Sequence, residues 1–324
     1  MHPVLFEIFG EPFPSYFGAL LLGFVVCTWL SARLGEARGI ERSIMYDIGF
    51  FSLVLALIGS RLFHVLFDGF FLDYVNLCLA PEKVVWPFDA SRCAAEGGRY
   101  DLVAGTCHPA ERDCFAWANL FSGGLTYYGG LFLAAPFALY YLKRRGVPAL
   151  RGIDTIAFAL PLGVAFGRLG CFLAGCCFGA PFDGGIVFPP YSPASEAQAY
   201  EGLIPGWESP SLPVHPTQLY ELLGCLAIFA YLMLYRFQRV RFEGQVSLES
   251  VGLYAVLRFI LEFFRADARG EYFGLSTSQW LGLLLIVGGV YFYRKLRAAG
   301  EDHQAPGSSP QRRGENEKSE VENA

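Results

Sequence analysis

The sequence predicts an all-α polytopic membrane protein with about seven transmembrane helices and an enlarged outward loop between the second and third. Three observations carry this reading. Of 324 residues, 53% are hydrophobic and only 17% charged, where a soluble domain has roughly 25% charged. The apolar residues fall in blocks of about twenty, the length that crosses a hydrocarbon core about 30 Å thick. Lys and Arg crowd into the loops of one side, as the positive-inside rule expects of cytoplasmic loops.

Taken in order, the apolar runs place spans at Phe13–Ala32, Met45–Phe67, Leu120–Leu142, Ile153–Phe178, Leu219–Tyr235, Gln245–Phe264 and Ser276–Phe292. Thirteen basic residues mark the cytoplasmic side: Arg33, Arg38 and Arg42, then Lys143, Arg144, Arg145 and Arg151, then Arg236, Arg239 and Arg241, then Arg294, Lys295 and Arg297. The N-terminus therefore faces outward and the C-terminus inward. The first span reads as a retained helix rather than a cleaved signal peptide, since no basic residue precedes it and no small-residue cleavage site clearly follows. A membrane domain over residues 1–297 carries two outward loops, 68–119 and 179–214. The tail, 298–324, is rich in Glu, Gly, Ser, Pro and Asn, which predicts cytoplasmic disorder. The net charge of −5 is partly that tail and leaves no basic patch for nucleic acid.

Nine cysteines divide by position. Cys78, Cys93, Cys107 and Cys114 share the first outward loop, where an oxidising compartment permits two disulfides in any of three pairings. A zinc site joining His108 to these cysteines matches no usual ligand spacing. Cys27 and Cys225 sit in apolar runs and read as packing residues. Cys171, Cys176 and Cys177, at the outer end of the fourth span, are expected to stay reduced, because neighbouring cysteines on a helix pair poorly.

Arg61, Arg168, Arg258, Glu221, Glu249 and Glu262 fall inside or at the rim of spans, where a charge costs a few kcal/mol unless paired or hydrated. One reading is structural: Arg258, Glu262 and Arg265 share a helix face and can form an ion-pair ladder. That does not account for Arg61, Arg168 and Arg258 coming from three different spans, each near a small residue that admits close backbone approach. Three converging guanidinium groups make a phosphate site, since the planar fork binds phosphate oxygens bidentately. At membrane depth a phosphate belongs to a phospholipid headgroup. "GGLTYYGG" (Gly123–Gly130) opens the third span with glycine pairs that disfavour regular helix, as a backbone lining a cavity permits. "HPTQLYE" (His215–Glu221) starts the fifth span on a proline, with Gln218, Tyr220 and Glu221 in its first turns. His215 alone reads more readily as a loop or capping histidine than as a catalyst.

Five stretches together resemble the prolipoprotein diacylglyceryl transferase family: "GSRLFHVLF" (Gly59–Phe67), "GGLTYYGGLF" (Gly123–Phe132), "GRLGCFLAGCCFG" (Gly167–Gly179), "HPTQLYE" (His215–Glu221) and "RFILEFFRADARG" (Arg258–Gly270). They occur in family order, the fourth-span stretch being the most specific. The resemblance implies a bacterial inner-membrane enzyme, periplasmic at its N-terminus. It would transfer the sn-1,2-diacylglyceryl group from phosphatidylglycerol to the lipobox cysteine of a prolipoprotein signal peptide, leaving a thioether and releasing glycerol phosphate. No cofactor or metal is expected. Arg168 and Arg258 match the family's essential arginines, Arg61 and Glu262 its motif residues, and Gly179, Tyr220 and Glu221 supporting ones, with His215 beside them at the substrate.

The chain also departs from the family. Tyr128 stands where better-known members carry the histidine taken as base. In "GRLGNFINGE" the two asparagines and the glutamate are replaced by Cys171, Ala174 and Cys176. His64, three residues after Arg61 and on the same helix face, stands where an aromatic is common, so the two residue types are exchanged. On that reading His64 supplies the imidazole and Tyr128 bonds the lipid. On the other, the thiol loses its proton to water or lipid phosphate. Rival functions are a membrane thiol-disulfide oxidoreductase, motivated by vicinal Cys176–Cys177 but lacking a CxxC pair, a transporter or lipid-binding channel, and a catalytically diverged relative.

Overall fold

The computed structural model describes residues 4–8, 11–86, 90–95, 97–119, 126–265 and 271–304. Gly123, Gly124, residues 266–270 and the tail from 305 lie outside them. The described residues form two compact units, one from positions 1–45 with 147–324, the other from 46–146.

The chain is mostly helical. A hairpin of β1 (Val4–Ile8) and β2 (Glu11–Pro14) leads into α1 (Ser15–Ala37) and α2 (Arg42–Phe67). After the short α3 (Phe71–Leu79) and α4 (Ala90–Ala95) comes a hairpin of β3 (Gly98–Asp101) and β4 (Thr106–Pro109). Then follow α5 (Tyr127–Arg144), α6 (Ala149–Ala157), α7 (Leu160–Ala174), β5 (Pro181–Ile186), α8 (Pro193–Tyr200), α9 (Thr217–Ala230) and α10 (Gln245–Leu261). A two-residue hairpin, β6 (Glu271–Tyr272) and β7 (Leu275–Ser276), precedes α11 (Thr277–Gln304). Among the described residues, four stretches are long and apolar enough to cross a membrane: Ser15–Ala37, Arg42–Phe67, Ala149–Ala174 and Thr217–Arg239. The chain is thus a multi-pass membrane protein. α5, α10 and α11 stand where the third, sixth and seventh spans are predicted.

Three expectations need correction. The fold is mostly rather than purely helical: short hairpins precede α1 and α11, and a third, β3–β4, lies in the loop between α2 and α5. The fourth span stops at Ala174 rather than Phe178, because Gly175 takes a left-handed conformation (φ 79°) and ends the helix as glycine commonly does. The last helix runs to Gln304, past the predicted start of the tail at 298.

In the larger unit α7 packs against α1 and α9, and α10 against α9 and α11. Its apolar core gathers Leu34, Ala157, Phe158, Ile228, Leu232 and Val246. Beside that core, Asp154 of α6 is fully buried and satisfied: Oδ2 accepts from Gly244 N–H (2.8 Å), and Oδ1 from Ser247 N–H (2.9 Å) and Ser247 Oγ (2.7 Å). A carboxylate from one helix thereby caps the N-terminus of another, where free N–H groups and the helix dipole favour it. Glu249, foreseen as a charge inside a span, accepts from Arg236 Nε at 2.6 Å and from Gln245 Nε2 at 2.9 Å.

In the smaller unit α2 and α5 cross at glycine. A Cβ on Gly59 would run into Gly129 O, and one on Gly129 into Gly59 O, so only glycine allows this backbone approach. The loop between the helices carries both expected disulfides, paired Cys78–Cys114 and Cys93–Cys107.

Candidate active site

Arg168, Gly179, His215, Tyr220, Glu221, Arg258 and Glu262 belong to the larger unit, and Arg61, His64 and Tyr128 to the smaller. Arg168, on α7, places Nε 3.0 Å from Glu221 Oε2 on α9, the two side chains being 21% and 2% exposed. The second oxygen, Glu221 Oε1, accepts from the Tyr254 hydroxyl of α10 at 2.8 Å. A buried carboxylate is tolerated when it is both paired and hydrogen-bonded, and Glu221 is both. One side chain therefore ties three helices and fixes the Arg168 guanidinium.

Tyr254 lies four residues before Arg258 on α10, hence on the same helix face. Arg258 Nη2 is 2.7 Å from Glu262 Oε2, with side chains 13% and 8% exposed. This is an ion pair without hydrogen-bond alignment: Arg258 Nη1 and Glu262 Oε2 are buried with no hydrogen-bond partner among the described residues. A buried unpaired donor costs about 1–3 kcal/mol, so the open Nη1 marks a place for an acceptor. The backbone of Arg265 lies against Gly179.

Gly179 is where three segments meet. Its N–H donates to His215 O at 2.9 Å, and Ala180 N–H to Phe264 O at 2.9 Å. A Cβ on Gly179 would strike Phe264 O and lie 2.8 Å from both His215 Cβ and Thr217 Cγ2. Only glycine lets the chain leaving α7 pass between the start of α9 and the end of α10, the helices carrying Glu221 and Arg258. His215 stacks on Phe182 with ring centroids 4.2 Å apart, and its Nδ1 lies 3.3 Å from the Tyr220 hydroxyl. It serves as part of an aromatic wall with Tyr220 and Phe264.

In the smaller unit Arg61 is buried, donating from Nε to Trp117 O and from Nη2 to Ala116 O, each at 2.7 Å. Its guanidinium lies 5.2 Å from the Tyr74 ring, and the His64 ring meets the same tyrosine edge-on at 6.1 Å. Arg61 and His64 thus share a face, as their spacing predicts. His64 Nδ1 is 2.9 Å from Asp68 Oδ2, which also accepts from Thr126 Oγ1 at 2.6 Å. Those hydrogen bonds, Thr126 first, hold the Asp68 carboxyl below its ordinary range. Tyr128, 56% exposed, follows Tyr127 at the start of α5.

A family model described as prolipoprotein diacylglyceryl transferase matches residues 3–294. The chain belongs to the prolipoprotein diacylglyceryl transferase family. Named phosphatidylglycerol–prolipoprotein diacylglyceryl transferase, a Clostridium tetani protein is 26% identical over 297 residues, covering 90% of this chain and 97% of its own. One of the same name from Neisseria meningitidis serogroup C is 31% identical over 304 residues, covering 89% and 93%. As a member of the prolipoprotein diacylglyceryl transferase family, the chain is a transferase of lipoprotein biosynthesis.

Reading the sequence missed Tyr254, whose spacing before Arg258 was its only signal. It also placed all three fourth-span cysteines on helix. Only Cys171 is there; Cys176 and Cys177 follow the Gly175 turn, and Cys176 N–H donates to Cys171 O at 3.1 Å. Cys171, Cys176 and Cys177 are free, as expected, and their sulfur atoms all lie within 4.8 Å of one another. Cys27 and Cys225 are free as well.

Proposed function

We propose that this transferase moves the sn-1,2-diacylglyceryl group of phosphatidylglycerol to the lipobox cysteine thiol of a prolipoprotein signal peptide, at the periplasmic side of a bacterial inner membrane, through seven spans with the N-terminus outside. The thiolate attacks the glyceryl carbon bearing the phosphate. A C–S bond forms, the C–O bond breaks, and its electron pair leaves on glycerol phosphate as a dianion. The observation that carries this reading is the open, buried Arg258 Nη1 beside a guanidinium already paired to Glu262.

Arg168, Arg258 and Arg265 against Glu221 and Glu262 leave one net positive charge, which suits the phosphodiester monoanion. The charge that grows on the leaving phosphate is then met by donors already desolvated and held, the arrangement that stabilises a transition state more than its ground state. Arg61, Tyr220, Glu221, Glu262, His215 and Gly179 shape the lipid site, while His64 and Tyr128 are assigned to the thiol proton and to the lipid.

The test is transfer from phosphatidylglycerol vesicles to a lipobox peptide by purified variants. Arg168→Ala and Arg258→Ala are each expected to lose roughly 10²-fold in kcat/KM, about 3 kcal/mol, with Arg→Lys recovering little because the fork is lost. Near-native rates in either Ala variant would remove that arginine from the phosphate site. His64→Ala and Tyr128→Phe in the same assay test the proton assignment.

A further inference from the structure

We propose that Cys171, Cys176 and Cys177 form a three-thiolate site for a thiophilic d¹⁰ divalent cation of the zinc type, whose open fourth position takes the incoming substrate thiol. The inference rests on the thiol-alkylation reading above and names the group that ionises the nucleophile.

The three sulfurs are brought together by construction. Helix α7 ends at Ala174, Gly175 turns the chain in the left-handed region, and Cys177 holds φ 62°, unusual for a residue with a side chain. Such a conformation persists only where neighbours enforce it. Two buried side chains at the start of α9 do so: Gln218 Nε2 donates to Cys176 O at 2.7 Å, and Thr217 Oγ1 to Cys177 O at 2.8 Å. With Zn–S bonds of about 2.3 Å, a tetrahedral thiolate set has sulfurs about 3.8 Å apart. The observed limit of 4.8 Å is within a small side-chain adjustment of that. Soft thiolates select zinc-like ions over magnesium or calcium, and three protein ligands leave the open position of a catalytic rather than a structural site.

A thiol entering the fourth position is ionised by the metal, its proton passing to solvent. The metal-bound sulfur then forms the C–S bond as the C–O bond breaks towards the arginines. The neutral thioether is a poor ligand and leaves, and the metal ends unchanged. His215, the imidazole at the start of α9, is taken up by Phe182 and Tyr220, so ionisation by a metal fills a role that this histidine does not offer.

The test uses full-length protein in detergent, loaded with Co²⁺ as a spectroscopic probe for Zn²⁺. One ion per chain with thiolate-to-cobalt charge-transfer absorption is expected. Lipobox peptide should strengthen that absorption, and the same peptide with Ser for Cys should not. Cys171→Ser, Cys176→Ser and Cys177→Ser should each weaken binding at least tenfold. In unmutated protein Zn²⁺ should protect these three thiols, and not Cys27 or Cys225, from alkylation. A free thiol of pKa about 8.5 is only about 3% thiolate at pH 7, so chelation should slow transfer roughly 30-fold, restored by Zn²⁺. No charge-transfer band, or full transfer activity after chelation and in the Ser variants, overturns the metal site and leaves the transferase reading standing. Metal binding without any transfer by the zinc-loaded wild type overturns the transferase reading instead.

Discussion

At the residue scale the site depends on how each buried charge is compensated. Glu221 is the most constrained, with Arg168 on one oxygen and Tyr254 on the other. Tyr254→Phe removes one hydrogen bond and should cost about 1 kcal/mol of stability, with a several-fold fall in kcat and little change in KM. Glu221→Gln leaves Arg168 without its counter-charge in a largely buried place and should cost roughly 3 kcal/mol. Thermal unfolding in detergent beside transfer kinetics checks both, and a neutral Glu221→Gln would mean that Arg168 draws its compensation elsewhere. Gly179→Ala should also be disruptive, because the atom its Cβ would meet first is backbone, Phe264 O, which cannot rotate away. The sequence made Arg168, Arg258 and Gly179 visible, because a charge or a glycine in an apolar run is conspicuous. It could not show that Arg258 keeps an open buried donor, nor that the carboxylate paired to Arg168 Nε is also held by Tyr254, an aromatic indistinguishable by type from the other apolar residues of its span.

At the element scale the helices were legible because apolar runs of membrane length are unmistakable, whereas their ends were not. The fourth span was read four residues too long, to Phe178, since Cys176, Cys177 and Phe178 are as apolar as a helix interior. Only the left-handed Gly175 breaks the helix there, and that break converts a row of helical cysteines into a cluster. Alkylation without reductant should modify the five free cysteines and spare Cys78, Cys93, Cys107 and Cys114, with mass spectrometry as the readout. Modification of all nine would remove the bridges. A second tie at this scale joins the end of α2 to the start of α5 through Asp68, which accepts from Thr126 and His64. Its carboxyl is held below the ordinary range. Stability from a depressed carboxyl is fully present above the unfolded pKa, near 3.9, and is lost as pH falls through the lower folded value. The tie should therefore hold at neutral pH and release only below about pH 4, an acid step in hydrogen exchange around Thr126 that Asp68→Asn abolishes. An unchanged acid step in Asp68→Asn would assign it to another group.

At the scale of the whole molecule the proposed orientation has two independent supports, and both can be read within the smaller unit. Helices α2 and α5 touch at two levels, Gly59 with Gly129 and, further along, Asp47 with Tyr141 and Arg145. Away from the glycine crossing, residue numbers fall along α2 as they rise along α5, so the two helices run antiparallel. One end of this hairpin therefore carries Lys143, Arg144 and Arg145, and the other carries the disulfide-bonded loop. Basic residues mark the cytoplasmic side, and disulfides persist in an oxidising compartment. The two rules use unrelated chemistry, charge retention in one and thiol redox in the other, and they assign opposite ends of the same hairpin. A cysteine placed at exposed Glu111 should accordingly react with a membrane-impermeant maleimide on intact spheroplasts, while one at Arg144 should react only after permeabilisation, each read by added mass on its own peptide. The reverse pattern would turn this hairpin over.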